Sequence, residues 1–426
     1  MNKASLLSKV VATGTGGSYV GYDQAVRILQ KLEENGYEAF FVGGCVRDWL
    51  LGRSVHDIDI CTNAHPGDVI SLFPDHVPTG LKHGTVSVKQ GGFLFEVTTY
   101  RTEGKYEDYR RPSTVQFVSD LRLDLERRDF TINAMAMDRH QNLQDPFAGR
   151  EDLSRKLIRA VGNPAERFQE DALRLLRAVR FAAQLDFSIE TRTMAAMKQT
   201  APLLDRIAVE RVREELNKML ESQSPEKGCE WLCEAKLFAY SPLLEQLFEQ
   251  SKKHTWRLRH LSSLPQKWTL LLFAARLSTD AVKAVCKILR FSKRDSERIE
   301  LLVDWLYRVQ PQWDAPHEVE WKSILLETGK EIAQELNSLL LACWWNQKER
   351  FAQDAVHSVY EALPVKTTKE LAVTGRDLYV VLGKKQGEWI GRVLVSLLKQ
   401  TAYDGLPNTP EALIAAAKKE VALDED

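Results

Sequence analysis

The stretch Phe40–Cys61, Phe-Phe-Val-Gly-Gly-Cys-Val-Arg-Asp-Trp-Leu-Leu-Gly-Arg-Ser-Val-His-Asp-Ile-Asp-Ile-Cys, constrains this chain more than any other. Phe40–Val42 is an apolar run of strand type. Gly43-Gly44 follows at once, and Val46–Leu51 carries a short helical pattern that Gly52 stops. Asp57 and Asp59 then alternate with Ile58 and Ile60. On a strand, residues two apart share a face, so this spacing sets two carboxylates side by side. Adjacent anions repel unless a cation lies between them, and Mg²⁺ takes hard oxygen ligands of this kind. A Gly-Gly turn entering a helix lets backbone N–H groups, Gly44 among them, approach a phosphate. Together these features describe a site for a metal–triphosphate complex. An isolated Asp-x-Asp is ordinarily solvated surface; the whole string in this order is specific.

The string resembles the nucleotidyltransferase signature of the class II tRNA nucleotidyltransferases (CCA-adding enzymes) and the related bacterial poly(A) polymerases. Arg127-Arg128-Asp129 and Glu170-Asp171-Ala172-Leu173-Arg174 extend the resemblance. It is specific over roughly Tyr37 to Leu220 and looser beyond. It implies an α+β fold: a nucleotidyltransferase α/β head at residues 1–148, a helical neck that reads the nucleotide base at 149–222, a helical body at 223–310 and a helical, tRNA-binding tail at 311–426. The expected substrates are tRNA, CTP and ATP, with Mg²⁺ as the metal.

The bulk properties agree with that expectation without requiring it. With 426 residues the chain can build two to four cores. Apolar content of 44% and charged content of 27% are ordinary for a soluble globular protein. No apolar run reaches membrane-spanning length, and the first residues lack the form of a signal peptide. Six scattered cysteines, with no Cys-x-x-Cys pair, fit a reducing cytoplasm. Cys229 and Cys233 read as two thiols on one helix face. The net charge of −1 excludes a generally basic nucleic-acid binder, so RNA contacts must come from segregated patches. No obligate protein partner is evident.

Along the chain, Tyr22–Leu32 reads as a helix buried through Ala25, Ile28, Leu29 and Leu32. Pro66 opens a second helix through Leu72. Thr85–Val88 and Phe93–Tyr100 read as strands joined at Gly91-Gly92. Arg101–Pro112, with Tyr106, Tyr109, Arg110 and Arg111, is polar and aperiodic and reads as a mobile loop. By resemblance, this loop helps to reshape the nucleotide pocket. From Asp145 onward strand-type runs disappear. Glu166–Gln184, Arg192–Thr200 and Val209–Leu220 read as amphipathic helices, with a joint at Gln223–Lys227. Breaks follow near Pro311–Pro316 and Leu363–Thr368.

The chemistry concentrates in a few side chains. Asp57 and Asp59 are the candidate metal ligands for attack of a 3′ hydroxyl on an α-phosphorus. Nucleotidyltransferases of this broad type use a third acid from a neighbouring strand, and Glu96 is the best placed; a solvent-facing residue on an alternating strand is the other reading. Arg47, on the helix after Gly44, is placed to pair with a triphosphate. An acid beside arginines can hold a ribose 2′-hydroxyl, and the resemblance assigns Arg128 and Asp129 to the incoming nucleotide.

On the expected helix Glu166–Gln184, Ala172, Leu176, Val179 and Ala183 form the buried face. Asp171, Arg174, Arg177 and Arg180 step by three along a ridge. Asp171 can accept from the exocyclic amino group of cytosine or adenine while Arg174 donates to the neighbouring ring nitrogen. Uracil and guanine reverse both polarities, leaving buried groups unpaired. Glu170 is expected to orient Arg174, and Arg177 and Arg180 to serve as phosphate or positioning contacts. His56-Asp57 lacks the second His/Asp pair of a metal phosphohydrolase, and no histidine is assigned to a metal.

Basic and aromatic residues at Lys252–Arg259, with turns at Thr374–Asp377 and Gly383–Arg392, are candidate RNA contacts; the resemblance places the latter two in the tail. Trp344-Trp345 reads as core. A CTP/ATP:tRNA nucleotidyltransferase is therefore expected. A poly(A) polymerase, or a partner adding only A or only CC, is the nearest alternative, and a non-catalytic RNA-binding module a more distant one. The acidic ending Val421–Asp426 argues against the poly(A) polymerases with basic extensions.

Overall fold

The structure is a computed structural model that describes residues 21–423 except 79, 105, 108–110, 113, 252–256, 310–318 and 344–353. It divides into two compact units, within Met1–Lys252 plus Lys287–Arg290 and within Lys253–Cys286 plus Phe291–Asp426.

In the first unit, helix α1 (Tyr22–Glu34) buries Ala25, Ile28, Leu29 and Leu32 completely, as their spacing predicts. Strand β1 (Ala39–Val42) leads through Gly43 into α2 (Gly44–Leu50), and β2 is Asp59–Thr62. Helix α3 is Pro66–Leu72. Next come β3 (His76–Val77) and the hairpin β4 (Thr85–Gln90) and β5 (Phe93–Thr99), turned by Gly91 and Gly92 at positive φ. Strand β6 is Arg101–Glu103, β7 Tyr106–Glu107, β8 Arg111–Pro112 and β9 Val115–Phe117; α4 is Leu121–Glu126, and β10 and β11 are Ala136–Met137 and Leu143–Gln144.

Seven of these strands form one sheet, ordered β11-β10-β1-β2-β5-β4-β3. Its pairings are antiparallel except β2 with β5. Asp59 therefore stands between Val42 on one side and Glu96 on the other. Val42, Cys61, Tyr100, Leu125, Ala134, Ala136 and Val161 close an apolar cluster against the sheet.

The aperiodic segment Arg101–Pro112 departs from the expected loop. Its first residues pair as β6 with β9, and β7 pairs with β8. The strands are too short to show a period, which is why alternation in sequence misses them. Tyr109 and Arg110 lie outside the described residues.

The expected continuous helix Glu166–Gln184 is two helices, α6 at Pro164–Glu170 and α7 at Leu173–Leu185. (Helix α5, Gly149–Ser154, precedes them.) Asp171 leaves helical geometry, with φ −137° and ψ 104°, and its Oδ1 accepts a bond of 3.0 Å from the Leu173 N–H. Aspartate competes with the helix in this way by satisfying an N-terminal amide. The apolar face survives the break: Ala172, Leu176, Val179 and Ala183 are all buried. Strand structure also persists past Asp145, in a short parallel pair, β12 (Leu157–Ile158) with β13 (Ser188–Ile189). Helices α8 (Thr191–Thr200) and α9 (Val209–Leu220) match expectation, and α10 (Pro225–Glu234) carries Cys229 and Cys233, both buried.

The described residues of the second unit contain helices and no strand. Leu264–Ala274 is buried along nearly its whole length. Trp321–Cys343 bends at Gly329, whose φ of +81° interrupts the helix. Leu378, Leu397, Leu413 and Ala417 from three helices form a separate core. Thr374 and Asp377, expected in a turn, form a capping box that starts the helix Gly375–Leu382. Gly383 ends that helix in the left-handed region. Lys252–Trp256, Pro311–Pro316 and Trp344-Trp345 lie outside the described residues. No described helix is long and apolar enough to cross a membrane.

Candidate active site

The turn between β1 and α2 sets the floor of the site. Gly43 adopts φ +81° and ψ −128°, a conformation strained for a residue with a side chain. A Cβ there would also lie 3.1 Å from Arg128 Nη1. The chain then enters α2 with Gly44 and Arg47 facing a cavity of about 890 Å³ in the first unit. Asp57, Asp59, Arg128, Asp129, Asp171, Arg174, Arg177 and Arg180 line the same cavity. Residues far apart in sequence, chosen for their chemistry, thus converge on one space.

The acidic corner comes first. Asp57 is exposed and lies two residues before Asp59, the first residue of β2, so only Asp59 is on the strand proper. Glu96 is exposed beside Asp59 on the neighbouring parallel strand, and residues in register there share a face. Burial pushes the Asp59 carboxyl up to about 6; Arg128 pulls it down, but Glu96 and Asp57 raise it again. A carboxyl raised by burial and by two neighbouring carboxylates marks a corner short of positive charge. An all-oxygen donor set of this kind fits a hard divalent cation. Among the described residues no three ligating side chains are closed around one point. That is compatible with a cation held by one or two carboxylates and completed by substrate phosphates.

An ion-pair chain runs behind this corner. Arg47 is buried, donates from Nε and Nη2 to Asp48 at 3.0 and 2.8 Å, and from Nη1 to Asn133 Oδ1 at 2.7 Å. Asn133 Nδ2 in turn donates to Asp129 Oδ1 at 3.2 Å, and Arg177 Nε to Asp129 Oδ2 at 2.7 Å. Burial alone would raise the Asp129 carboxyl, but Arg177, Asn133 and Arg174 outweigh it and hold it near about 2. Asp129 is therefore a fixed anion. The expected phosphate ligand Arg47 and expected ribose ligand Asp129 are linked through Asn133, a residue that sequence reasoning passed over.

A second hub was also missed. Asp124, fully buried, accepts from Arg127 at 3.0 and 2.8 Å, from Arg128 at 3.2 Å and from the Arg101 N–H at 3.3 Å. Arg127 also donates to Glu103 at 3.0 Å. Burial would raise the Asp124 carboxyl, yet Arg127 and Arg128 lower it below the usual range. The signal in sequence was an acid three and four residues before two arginines, where one helical turn brings them together.

Arg174, Arg177 and Arg180 keep their three-residue step on α7. Arg174 Nη1 donates to Glu170 at 2.6 Å and to the Arg167 carbonyl at 3.1 Å, and Nη2 to the Arg127 carbonyl at 3.1 Å. Glu170 thus holds Arg174, as expected, although it does not itself line the cavity. Arg180 Nε donates to the buried Glu215 at 2.6 Å. Arg47, Arg177 and Arg180 pack around the Phe181 ring at 5.2, 5.4 and 4.1 Å from its centroid. Nothing in the local sequence singles out Phe181, because the convergence of three cations on it is visible only in the folded chain. Asp171 does not share the helical ridge. It sits at the α6–α7 joint, its Oδ2 3.4 Å from Arg211 Nη2.

Three families match this chain. Residues 39–159 match the poly A polymerase head domain, 186–248 the probable RNA and SrmB-binding site of polymerase A, and 259–417 the putative tRNA nucleotidyltransferase domain 2. The CCA-adding enzyme of Limosilactobacillus reuteri is 40% identical over 398 residues, 92% of this chain and 95% of that one. That of Enterococcus faecalis is 38% identical over 401 residues, 94% of this chain and 96% of its own. Among solved structures, the Bacillus stearothermophilus CCA-adding enzyme in complex with CTP superposes with a TM-score of 0.82 at 33% identity, covering 96% of this chain and 99% of that one.

Proposed function

This chain belongs to the family of CCA-adding enzymes, and on that premise we propose that it is a CTP/ATP:tRNA nucleotidyltransferase that adds or repairs the 3′ CCA end of tRNA. The observation that carries this reading is the single cavity lined both by the Asp57/Asp59 corner and by Asp171 and Arg174. The first pair suits chemistry at a phosphorus and the second suits the choice of a base. In a cavity of this size, one nucleotide can touch both.

In this reading, Asp57 and Asp59 hold divalent metal, Mg²⁺ being the natural occupant of an all-oxygen site. The metal, when bound, stabilises the attacking and leaving oxygens of an in-line displacement. The acceptor's 3′ oxygen forms a bond to the α-phosphorus, the bond to the β-phosphate oxygen breaks, and pyrophosphate departs. Glu96 is the residue we assign to take the hydroxyl proton. Gly44 N–H, Arg47 and Arg128 face the triphosphate, and Asp129 the ribose, with Arg177 and Arg180 as positioning contacts.

Asp171 accepts from the amino group of cytosine or adenine, and Arg174 donates to the adjacent ring nitrogen. Three acceptors fix the Arg174 guanidinium before any nucleotide arrives, so little ordering is left for binding. Residues 1–148, 149–222, 223–310 and 311–426 serve in this reading as head, neck, body and tRNA-binding tail. A tRNA substrate makes the cytoplasm the place of work.

The test is direct. The purified protein is given tRNA lacking its last three nucleotides and each triphosphate alone or CTP with ATP, and the products are sequenced. Addition of CCA and no more supports the reading. Runs of A, or addition of A or CC alone, would assign one of the related activities instead.

A further inference from the structure

Helix α9 lies along α7 and reaches it at two points. Glu215 takes Arg180 at 2.6 Å, and Arg211, one turn earlier on the same face, meets Asp171 at 3.4 Å. Arg180 and Arg211 both line the large cavity, together with Asp171 and Arg174, while Glu215 lies behind that wall. The first contact is a closed, buried ion pair. The second is not closed.

Asp171 caps the end of α6: its N–H still reaches the Arg167 carbonyl at 3.4 Å and its carbonyl takes the Arg174 N–H at 3.0 Å, so the backbone is held while the orientation of the side chain depends on what touches its two oxygens. The Leu173 N–H takes Oδ1 at 3.0 Å, and Arg211 Nη2 faces Oδ2. At 3.4 Å this contact is longer than the ~2.7–2.9 Å usual for a charged donor and acceptor. Arg211 Nη1 is buried and has no hydrogen-bond partner among the described residues. A buried N–H left unpaired is unfavourable, and an arginine with a purely structural role would be expected to use it. The fork can pair both N–H groups with one carboxylate, so the pair has a tighter arrangement available to it.

We infer that Arg211 is the positioning residue of Asp171: it orients the carboxylate that selects the base. The inference rests on the base-reading role given to Asp171 and Arg174 above. A carboxylate accepts only along the directions its oxygens face, so a rotated one withdraws its acceptor from the base. A guanidinium held against Oδ2 limits rotation about the Cβ–Cγ bond. Without it, Asp171 still stands in the cavity but opposes the uracil carbonyl less strictly. Arg211 therefore acts on selectivity, through Asp171, and has no contact with the reacting phosphorus.

The experiment uses the full chain with Arg211→Met, Arg211→Lys, Asp171→Ala and the Asp171→Ala/Arg211→Met pair. The kcat/KM values for CTP, ATP and UTP are measured on tRNA lacking its terminal nucleotides, with melting temperatures alongside. Arg211→Met raises the UTP-to-CTP ratio by about ten-fold, the size of one charged hydrogen bond. Arg211→Lys, which keeps the charge but loses the fork, gives a smaller rise. In the Asp171→Ala background, Arg211→Met leaves the ratio where Asp171→Ala put it. Equal losses for all three triphosphates in Arg211→Met, while Asp171→Ala shifts the ratio, overturn the positioning role and leave the base-reading pair standing. An unshifted ratio in Asp171→Ala overturns that pair and this inference with it. If Arg211→Met does not fold, Arg211→Lys decides: a raised ratio supports the role, and an unchanged one ends it.

Discussion

Asp59 and Glu96 stand in register across the one parallel strand pair of the seven-stranded sheet, so two carboxylates 37 residues apart in sequence share a face. Glu96 raises the Asp59 carboxyl, as does Asp57. Like charges are tolerated at this spacing where a counter-charge arrives with the substrate.

Removal of either carboxylate on the Asp57-Ile58-Asp59 segment should stop addition of C and of A alike. On the proposed reading both additions share one metal site, whose stabilisation of the transferring phosphate would be worth several kcal/mol, so Asp57→Ala or Asp59→Ala should lower each rate by ~10³-fold or more. Primer extension with each triphosphate checks this. Loss of one nucleotide's addition with the other intact would refute a shared site.

Glu96→Gln tests the proton acceptor separately. A missing general base typically lowers kcat by about 10²–10⁴-fold while leaving KM nearly unchanged. A wild-type rate would return Glu96 to the plain reading of a solvent-facing strand residue.

Changing the reader should change what is read. Asp171→Ala removes the acceptor for the amino group, while Arg174 can still donate to a carbonyl. Use of CTP and ATP should weaken by about ten- to a hundred-fold, and UTP should gain relative to CTP. The ratio of kcat/KM for UTP and CTP is the observable, and a uniform fall across triphosphates would mark Asp171 as structural.

Asp129 ties stability to pH. Its folded pKa, about 2, lies below the ordinary value near 3.9, so its contribution is present above pH ~4 and is lost as pH falls toward 2. The shift corresponds to about 2–3 kcal/mol. Melting curves from pH 5 down to 2.5 should fall more steeply for wild type than for Asp129→Asn, whose side chain cannot titrate. Parallel curves would mean that Arg177 and Asn133 do not hold this anion.

Gly43→Ala probes the turn into α2. The positive φ and the approach of Arg128 Nη1 to 3.1 Å from the new Cβ together should destabilise by about 1–3 kcal/mol. KM for CTP and ATP should rise by similar factors, because Arg128 serves both. An unchanged melting temperature would show that the turn relaxes without strain.

What could be read in advance follows from how far each signal reaches along the chain. The buried faces of α1 and α7 were legible because helical periodicity is local. Asp57, Asp59, Asp171 and Arg174 could be singled out as candidates from their residue types and the resemblance, and the structure brings the four to one cavity. The break at Asp171 was not legible, since the apolar spacing runs through it uninterrupted and only the aspartate's bond to the Leu173 N–H marks the joint. Asp124, Asn133, Glu215 and Arg211 were missed for a related reason. Asn133, Glu215 and Arg211 matter through a partner on another element, and such a buried pair leaves no trace in the spacing of one segment; Asp124 pairs within one helical turn, but its spacing does not show that the turn is buried. The short strand β6 lacked enough residues to alternate.

The joint at Asp171 has a geometrical consequence. The acceptor stands where α6 ends, in extended backbone, while the donor stands one step inside α7. The Arg174 N–H also bonds the Asp171 carbonyl at 3.0 Å, so the two side chains start from backbone positions that are tied to each other. On the base-reading role proposed above, cytosine and adenine present the same pair of groups at the same spacing, and one fixed gap, set where one helix hands over to the next, suits both.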